Sequence, residues 1–172
     1  MKKRILALLL ILVMLCPPLT SVSAASNQET IWSYLKSKGF SDAGAAGIMG
    51  NLEAESGYMS INVQEHINRQ TKKTDAEFTA AVDSGEISRD SFVNGYYGYG
   101  LAQWTYPTRK AGLYDLAKSR GVSIGNLTMQ LDYMVQEMKS YGSLASYLKK
   151  ATDVEDACYP YARQVSRGQC AM

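Results

Sequence analysis

The chain has 172 residues, 46% hydrophobic and 20% charged, enough for one well-filled core and too few for two large domains. Its formal charge of +2 owes its sign to residues 1–25, which hold three of the 18 Lys and Arg and none of the 16 Asp and Glu, so the remainder sets 15 basic against 16 acidic side chains, a net −1. That remainder has no basic run longer than Lys72-Lys73 or Lys149-Lys150, which leaves a nucleic-acid footprint unsupported, and its one histidine, His66, excludes zinc hydrolases built on several His ligands and leaves a His-dependent triad a single base.

The N-terminus comes first. Lys2, Lys3 and Arg4 precede an apolar run from Ile5 to Cys16, then Pro17, Pro18 and a small-residue tail ending Val22-Ser23-Ala24-Ala25. This tripartite pattern predicts a cleavable secretory signal over residues 1–25, followed by one domain over 26–172. The 12-residue run is short for a membrane span, so no membrane association is expected after cleavage; an uncleaved N-terminal anchor is the alternative. Bulky Leu15 stands before Cys16, where a lipoprotein signal wants a small residue.

Residues 27–39 predict a helix, with Asn27 as cap, Ile31, Tyr34, Leu35 and Lys38 as its stripe and Gly39 as its stop. A second helix is predicted from Ser41 or Asp42 to about Ser56, closed by Gly57. Gly44, Gly47 and Gly50 each weaken it by about 1 kcal/mol relative to Ala, a cost that close approach of another backbone offsets. This helix is expected to be central. Residues 58–100 are more polar, with Thr74 to Glu77 as a capping box for a short helix over 75–83. They predict an irregular lobe, with room for short β-strands. The remainder predicts helices from Thr105 or Thr108 to Arg120, from Leu127 past Met138, and from Leu144 to Lys149. A last helix is capped by Asp153, with Val154, Ala157, Tyr161 and Val165 inward and Pro160 kinking or breaking it. Met129, Met134 and Met138 read as core, and His66 as a surface or lobe residue.

Two stretches have chemical potential. In Gly50-Asn51-Leu52-Glu53-Ala54-Glu55-Ser56-Gly57, a turn of 100° per residue puts Ile48, Leu52 and Glu55 on one face and Glu53 on another. A carboxylate on an apolar face near a helix C-terminus meets both partial burial and the negative end of the helix dipole, which favour its protonated form, as a general acid requires. The other reading ends the helix by Glu55 and leaves the side chain in solvent. The second stretch runs Tyr96-Tyr97-Gly98-Tyr99-Gly100-Leu101-Ala102-Gln103-Trp104. Aromatic faces, glycines that admit a ligand to the backbone and the Gln103 amide suit a sugar, as they also suit a core turn. Further carboxylates in the lobe, Glu65, Asp75, Glu77, Asp83, Glu86 and Asp90, are either helpers of Glu55 or solvated charges.

In combination, Gly47-Ile48-Met49-Gly50-Asn51, Glu55-Ser56-Gly57 and Gly98 to Thr105 resemble the phage tail lysozyme family, and the similarity continues through Arg109 to Leu113 and Gly121 to Ile124. The Glu-Ser and Gly-Leu-x-Gln elements also look like the wider lytic transglycosylase group. The resemblance implies a mainly α (α+β lysozyme-like) fold: a helical domain with a small irregular or β-containing lobe flanking a cleft. It implies a peptidoglycan hydrolase that acts on glycan strands without a cofactor or metal, with Glu55 as the catalytic acid. Gln103, Tyr99, Trp104, Tyr97 and Gly100 are the implied substrate contacts. The family often carries an Asp after the Asn upstream of Gly-Tyr-Gly; here Gly95 follows Asn94. An inactive peptidoglycan-binding or assembly module of the same fold is the alternative.

Cys158 and Cys170 remain once the signal is removed. In an exported protein an even pair suggests a disulfide; two reduced thiols is the other reading.

Overall fold

A computed structural model describes residues 26–163. The predicted signal, Val165 and Cys170 lie outside the described residues.

Helix α1 (Asn27–Ser37) is capped by Ser26 in place of the expected Asn27. The Ser26 side chain accepts from the Glu29 N–H, and the Glu29 carboxylate accepts from the Ser26 N–H at 2.8 Å. Asn27 begins the first turn, and its Nδ2 donates to the Tyr58 carbonyl at 3.0 Å. Ile31 and Leu35 are buried, as is Phe40 just past the helix end.

Helix α2 (Asp42–Ser56) starts at the Ser41 cap and ends at Gly57, whose φ of 56° is left-handed. Helices α8 (Leu144–Lys150) and α9 (Val154–Tyr161) pack against it, and α9 does so most extensively. Its glycines make that possible. A Cβ on Gly44 would strike the Leu148 carbonyl, and one on Gly47 would lie 2.8 Å from Ala157 Cβ and 2.9 Å from Cys158 N. The intrinsic weakness of a Gly-rich helix is offset by backbones that pack closer than any other residue allows.

The lobe is more helical than expected. It holds α3 (Glu65–Thr71), α4 (Asp75–Ser84) and α5 (Arg89–Asn94). The Thr74–Glu77 capping box forms as predicted. The β content among the described residues is two isolated antiparallel bridges, Val63 to Tyr99 and Tyr99 to Trp104. Helices α3 and α5 span seven and six residues, about two turns, too few for an apolar repeat to stand out in sequence.

Helix α6 (Pro107–Arg120) begins with proline, which is preorganised for that position. Helix α7 (Leu127–Ser140) buries Met129, Leu131, Met134 and Met138. Two expectations for α9 need correction. Val154 shares the phase of the buried Ala157, Cys158 and Tyr161 but is 48% exposed, because as the first helical residue it stands at the open end of that stripe. Pro160 sits inside α9 without breaking it. Its missing N–H would have served the Asp156 carbonyl, which accepts from Tyr147 Oη at 3.2 Å instead. Cys158 is disulfide-bonded; Cys170, the partner expected for it, lies outside the described residues.

Candidate active site

Helix α2 continues through Glu55, and the predicted phase holds. Ile48 and Leu52 are fully buried, Glu55 is half-buried on the continuation of their face, and Glu53 is exposed. The Glu53 carboxylate accepts from Tyr58 Oη at 3.3 Å.

The end of α2 is joined directly to the Gly98–Thr105 stretch. Ser56, buried next to Glu55, donates from Oγ to the Leu101 carbonyl at 2.8 Å. The Leu101 N–H donates to Gln130 Oε1 at 2.9 Å, and Gln130 Nε2 donates to the Ser60 and Ile124 carbonyls, each at 2.7 Å. Gln130 is fully buried, so one amide ties three loops to α7.

Helices α6 and α7 hold a polar network that sequence reasoning missed. Glu137 of α7 and Arg109 of α6 form an ion pair, with Nε to Oε1 at 2.7 Å and Nη2 to Oε2 at 2.9 Å. Their side chains are 10% and 16% exposed. Trp104 Nε1 donates to Glu137 Oε2 at 2.7 Å, and Tyr133 Oη donates to the Arg109 carbonyl at 2.8 Å. Burial opposes the Arg109 charge, but the bonds to Glu137 outweigh it and hold the guanidinium protonated. The phenol of Tyr161, wholly buried, reaches the same network: burial pushes its pKa up, and Arg109, Glu137, Glu55 and Tyr141 all act on it electrostatically. One criterion would have found Glu137. It shares a face of α7 with Gln130, Tyr133 and Met134 at helical spacing, the same pattern that singled out Glu55.

The expected substrate contacts divide. Gln103 is half-buried at a φ of 43°. Its Nε2 donates to Asn62 Oδ1 at 2.8 Å and to the Gly100 carbonyl at 3.0 Å, so the amide shapes its own loop. Gly100 has a φ of 75°, and a Cβ there would meet the Gln130 carboxamide at 2.8 Å. The aromatic residues correct the expectation of cleft contacts. Tyr99 and Trp104 are completely buried and Tyr97 is 6% exposed. Tyr99 sits among Phe78 and Phe92, with its hydroxyl 2.8 Å from Thr79 Oγ1, and Trp104 packs on Tyr133 with ring centroids 5.5 Å apart. The exposed aromatic of the stretch is Tyr96.

Five of the six lobe carboxylates, all but Glu65, are engaged in structure. Asp75 accepts from the Val63 N–H and from Asn68 Nδ2, and Asp83 accepts from the Ile124 N–H. Glu77 completes its capping box, Glu86 pairs with Lys73, and Asp90 accepts from Asn94 Nδ2. His66 is exposed. Sequence reasoning also missed Lys110, fully buried in α6, whose Nζ donates to the Gly95 and Tyr97 carbonyls and lies 4.1 Å from the Tyr97 ring centroid.

The phage tail lysozyme family profile matches residues 26–169. No curated protein matches the chain.

Proposed function

The chain belongs to the phage tail lysozyme family, and on that premise we propose that it is an exported enzyme cleaving the β-1,4 bond between N-acetylmuramic acid and N-acetylglucosamine. Membership supports peptidoglycan hydrolysis in general. The bond, the export and the acid go beyond what membership supports. Export rests on the N-terminal pattern of residues 1–25.

A single observation carries the assignment of the acid. Glu55 is the half-buried carboxylate at the end of α2, beside a buried Ser56 that clamps the Gly98–Thr105 stretch. Such a group holds a proton and delivers it to a departing glycosidic oxygen. Two routes complete the reaction. In one, water attacks with help from a second carboxylate. In the other, the muramic 6-hydroxyl attacks internally, Glu55 takes up its proton and an anhydro-sugar forms. The structural duties of Asp75, Glu77, Asp83, Glu86, Asp90 and Glu137 favour the internal route.

The test is clearance of purified cell walls with mass spectrometry of the products. Glu55→Gln should lose about 100-fold or more of the rate while remaining folded, and Glu53→Gln should keep most of it. Reducing-end muramic acid identifies hydrolysis, and anhydro-muramic acid identifies the internal route. Full activity in Glu55→Gln, or equal loss in two well-folded variants, overturns the assignment.

A further inference from the structure

The relation between α2 and α9 puts a second residue at the reacting end of the first helix. The two helices meet at Cys158: Gly47 lies against Ala157 and the Cys158 N–H, and Asn51 donates from Nδ2 to the Cys158 carbonyl at 3.3 Å and to its sulfur at 3.1 Å. One turn further along α2 is Glu55, and one turn further along α9 is Tyr161. The Tyr161 ring is fully buried, yet its hydroxyl has no hydrogen-bond partner among the described residues. A buried hydroxyl left in that condition costs about 1–3 kcal/mol. Phenylalanine would fill the same space without the cost, so packing does not account for the oxygen.

We propose that Tyr161 is a positioning residue for Glu55: its hydroxyl donates a hydrogen bond to the Glu55 carboxylate once that group has passed its proton to the glycosidic oxygen. The half-buried Glu55 side chain turns toward α9 as it ionises, and the phenol keeps its own proton throughout. No bond is made or broken at Tyr161; it stabilises the negative charge that appears on Glu55 and disappears when Glu55 is reprotonated by the attacking hydroxyl. Burial favours the neutral phenol, which keeps it a donor. The charged and titratable groups that act on it are Arg109 from α6, Glu137 from α7, Tyr141 just after α7, and Glu55 itself from α2. Arg109 and Glu137 neutralise each other at 2.7 Å, so the charge that changes during the reaction is that of Glu55.

This inference rests on the reading of Glu55 as the acid, and Glu55→Gln tests that reading separately. Tyr161→Phe tests the positioning role. Its melting temperature should equal or exceed that of the wild type, while the maximal rate of wall cleavage falls by about tenfold or more and the apparent KM for soluble wall fragments stays constant. Without the donor the carboxylate is less stable, so the alkaline limb of the pH–rate profile moves to higher pH. Should Tyr161→Phe fold poorly, 3-fluorotyrosine placed at position 161 supplies a stronger donor in the same shape, and the limb should move to lower pH. An unchanged rate and profile in Tyr161→Phe, or an unmoved limb with 3-fluorotyrosine, overturns the proposal. If either occurs while Glu55→Gln is inactive, only the role of Tyr161 falls.

Discussion

Ser56 Oγ lies 2.8 Å from the carbonyl oxygen of Leu101, across 45 residues of chain. That bond explains why a serine follows the candidate acid. It holds the last turn of α2 to the loop that carries Gln103, so Glu55 and the loop keep a fixed separation. Ser56→Ala leaves a carbonyl without its donor in a buried place. Stability should fall by about 1–3 kcal/mol, and wall cleavage should fall more than the folded fraction does. Chemical denaturation together with a clearance assay measures both. A variant with wild-type stability and rate would show that the contact is idle.

Gly47→Ala sets two effects against each other. Alanine raises intrinsic helix stability by about 1 kcal/mol, but its Cβ would sit 2.8 Å from Ala157 Cβ and 2.9 Å from Cys158 N. One of those atoms is backbone, so α9 must move. Overpacking of this kind costs about 1–3 kcal/mol, and the net result should be a lower melting temperature. Activity should drop as well, because α9 carries Tyr161. A melting temperature at or above that of the wild type contradicts the close packing.

The Arg109–Glu137 pair is largely buried and doubly hydrogen-bonded, which makes loss of one partner worse than loss of both. Glu137→Ala removes the carboxylate from a largely buried guanidinium and deprives Trp104 Nε1 of its acceptor. It should destabilise by about 3–5 kcal/mol. The double replacement Arg109→Met with Glu137→Met should destabilise less than that. A double-mutant cycle in urea checks the sign of the coupling; strictly additive effects count against a coupled pair.

Lys110 predicts a pH dependence. Burial pushes its ammonium down to about 8 from an ordinary 10.5. The native state therefore binds fewer protons than the unfolded chain between those values, and stability rises with pH across that window. Above about pH 10 the buried Tyr97 acts in the opposite sense: burial pushes its phenol up to about 12, so unfolded tyrosines ionise first and stability falls. Thermal melts from about pH 7 to pH 10 should show the wild type gaining on Lys110→Met as pH increases. A gap that stays constant over this range rules out the titration of Lys110.

Much of this architecture was legible without coordinates because its signals are local. Gly39, Gly57 and Gly121 stop helices at positive φ, and the Thr74–Glu77 box starts one. The phase of Ile48 and Leu52 separated Glu55 from Glu53, since rotation along a helix is fixed by the backbone and needs no partner. The glycines of α2 implied a close neighbour, but which neighbour, α8 or α9, follows from how distant segments pack.

Tertiary structure alone decided what the aromatic stretch does. Sequence shows that Tyr97, Tyr99 and Trp104 are rings beside glycines; only the surrounding Phe78, Phe92 and Tyr133 show that they face inward. It likewise decided that a buried carboxylate, Glu137, is held by an arginine 28 residues away, and that Pro160 is tolerated because Tyr147 supplies the lost donor. A helix cap or a helical phase depends on residues within a turn or two, and sequence lists those in order. Burial and charge pairing depend on groups far apart in the chain, and their energies exist only once folding has brought those groups together.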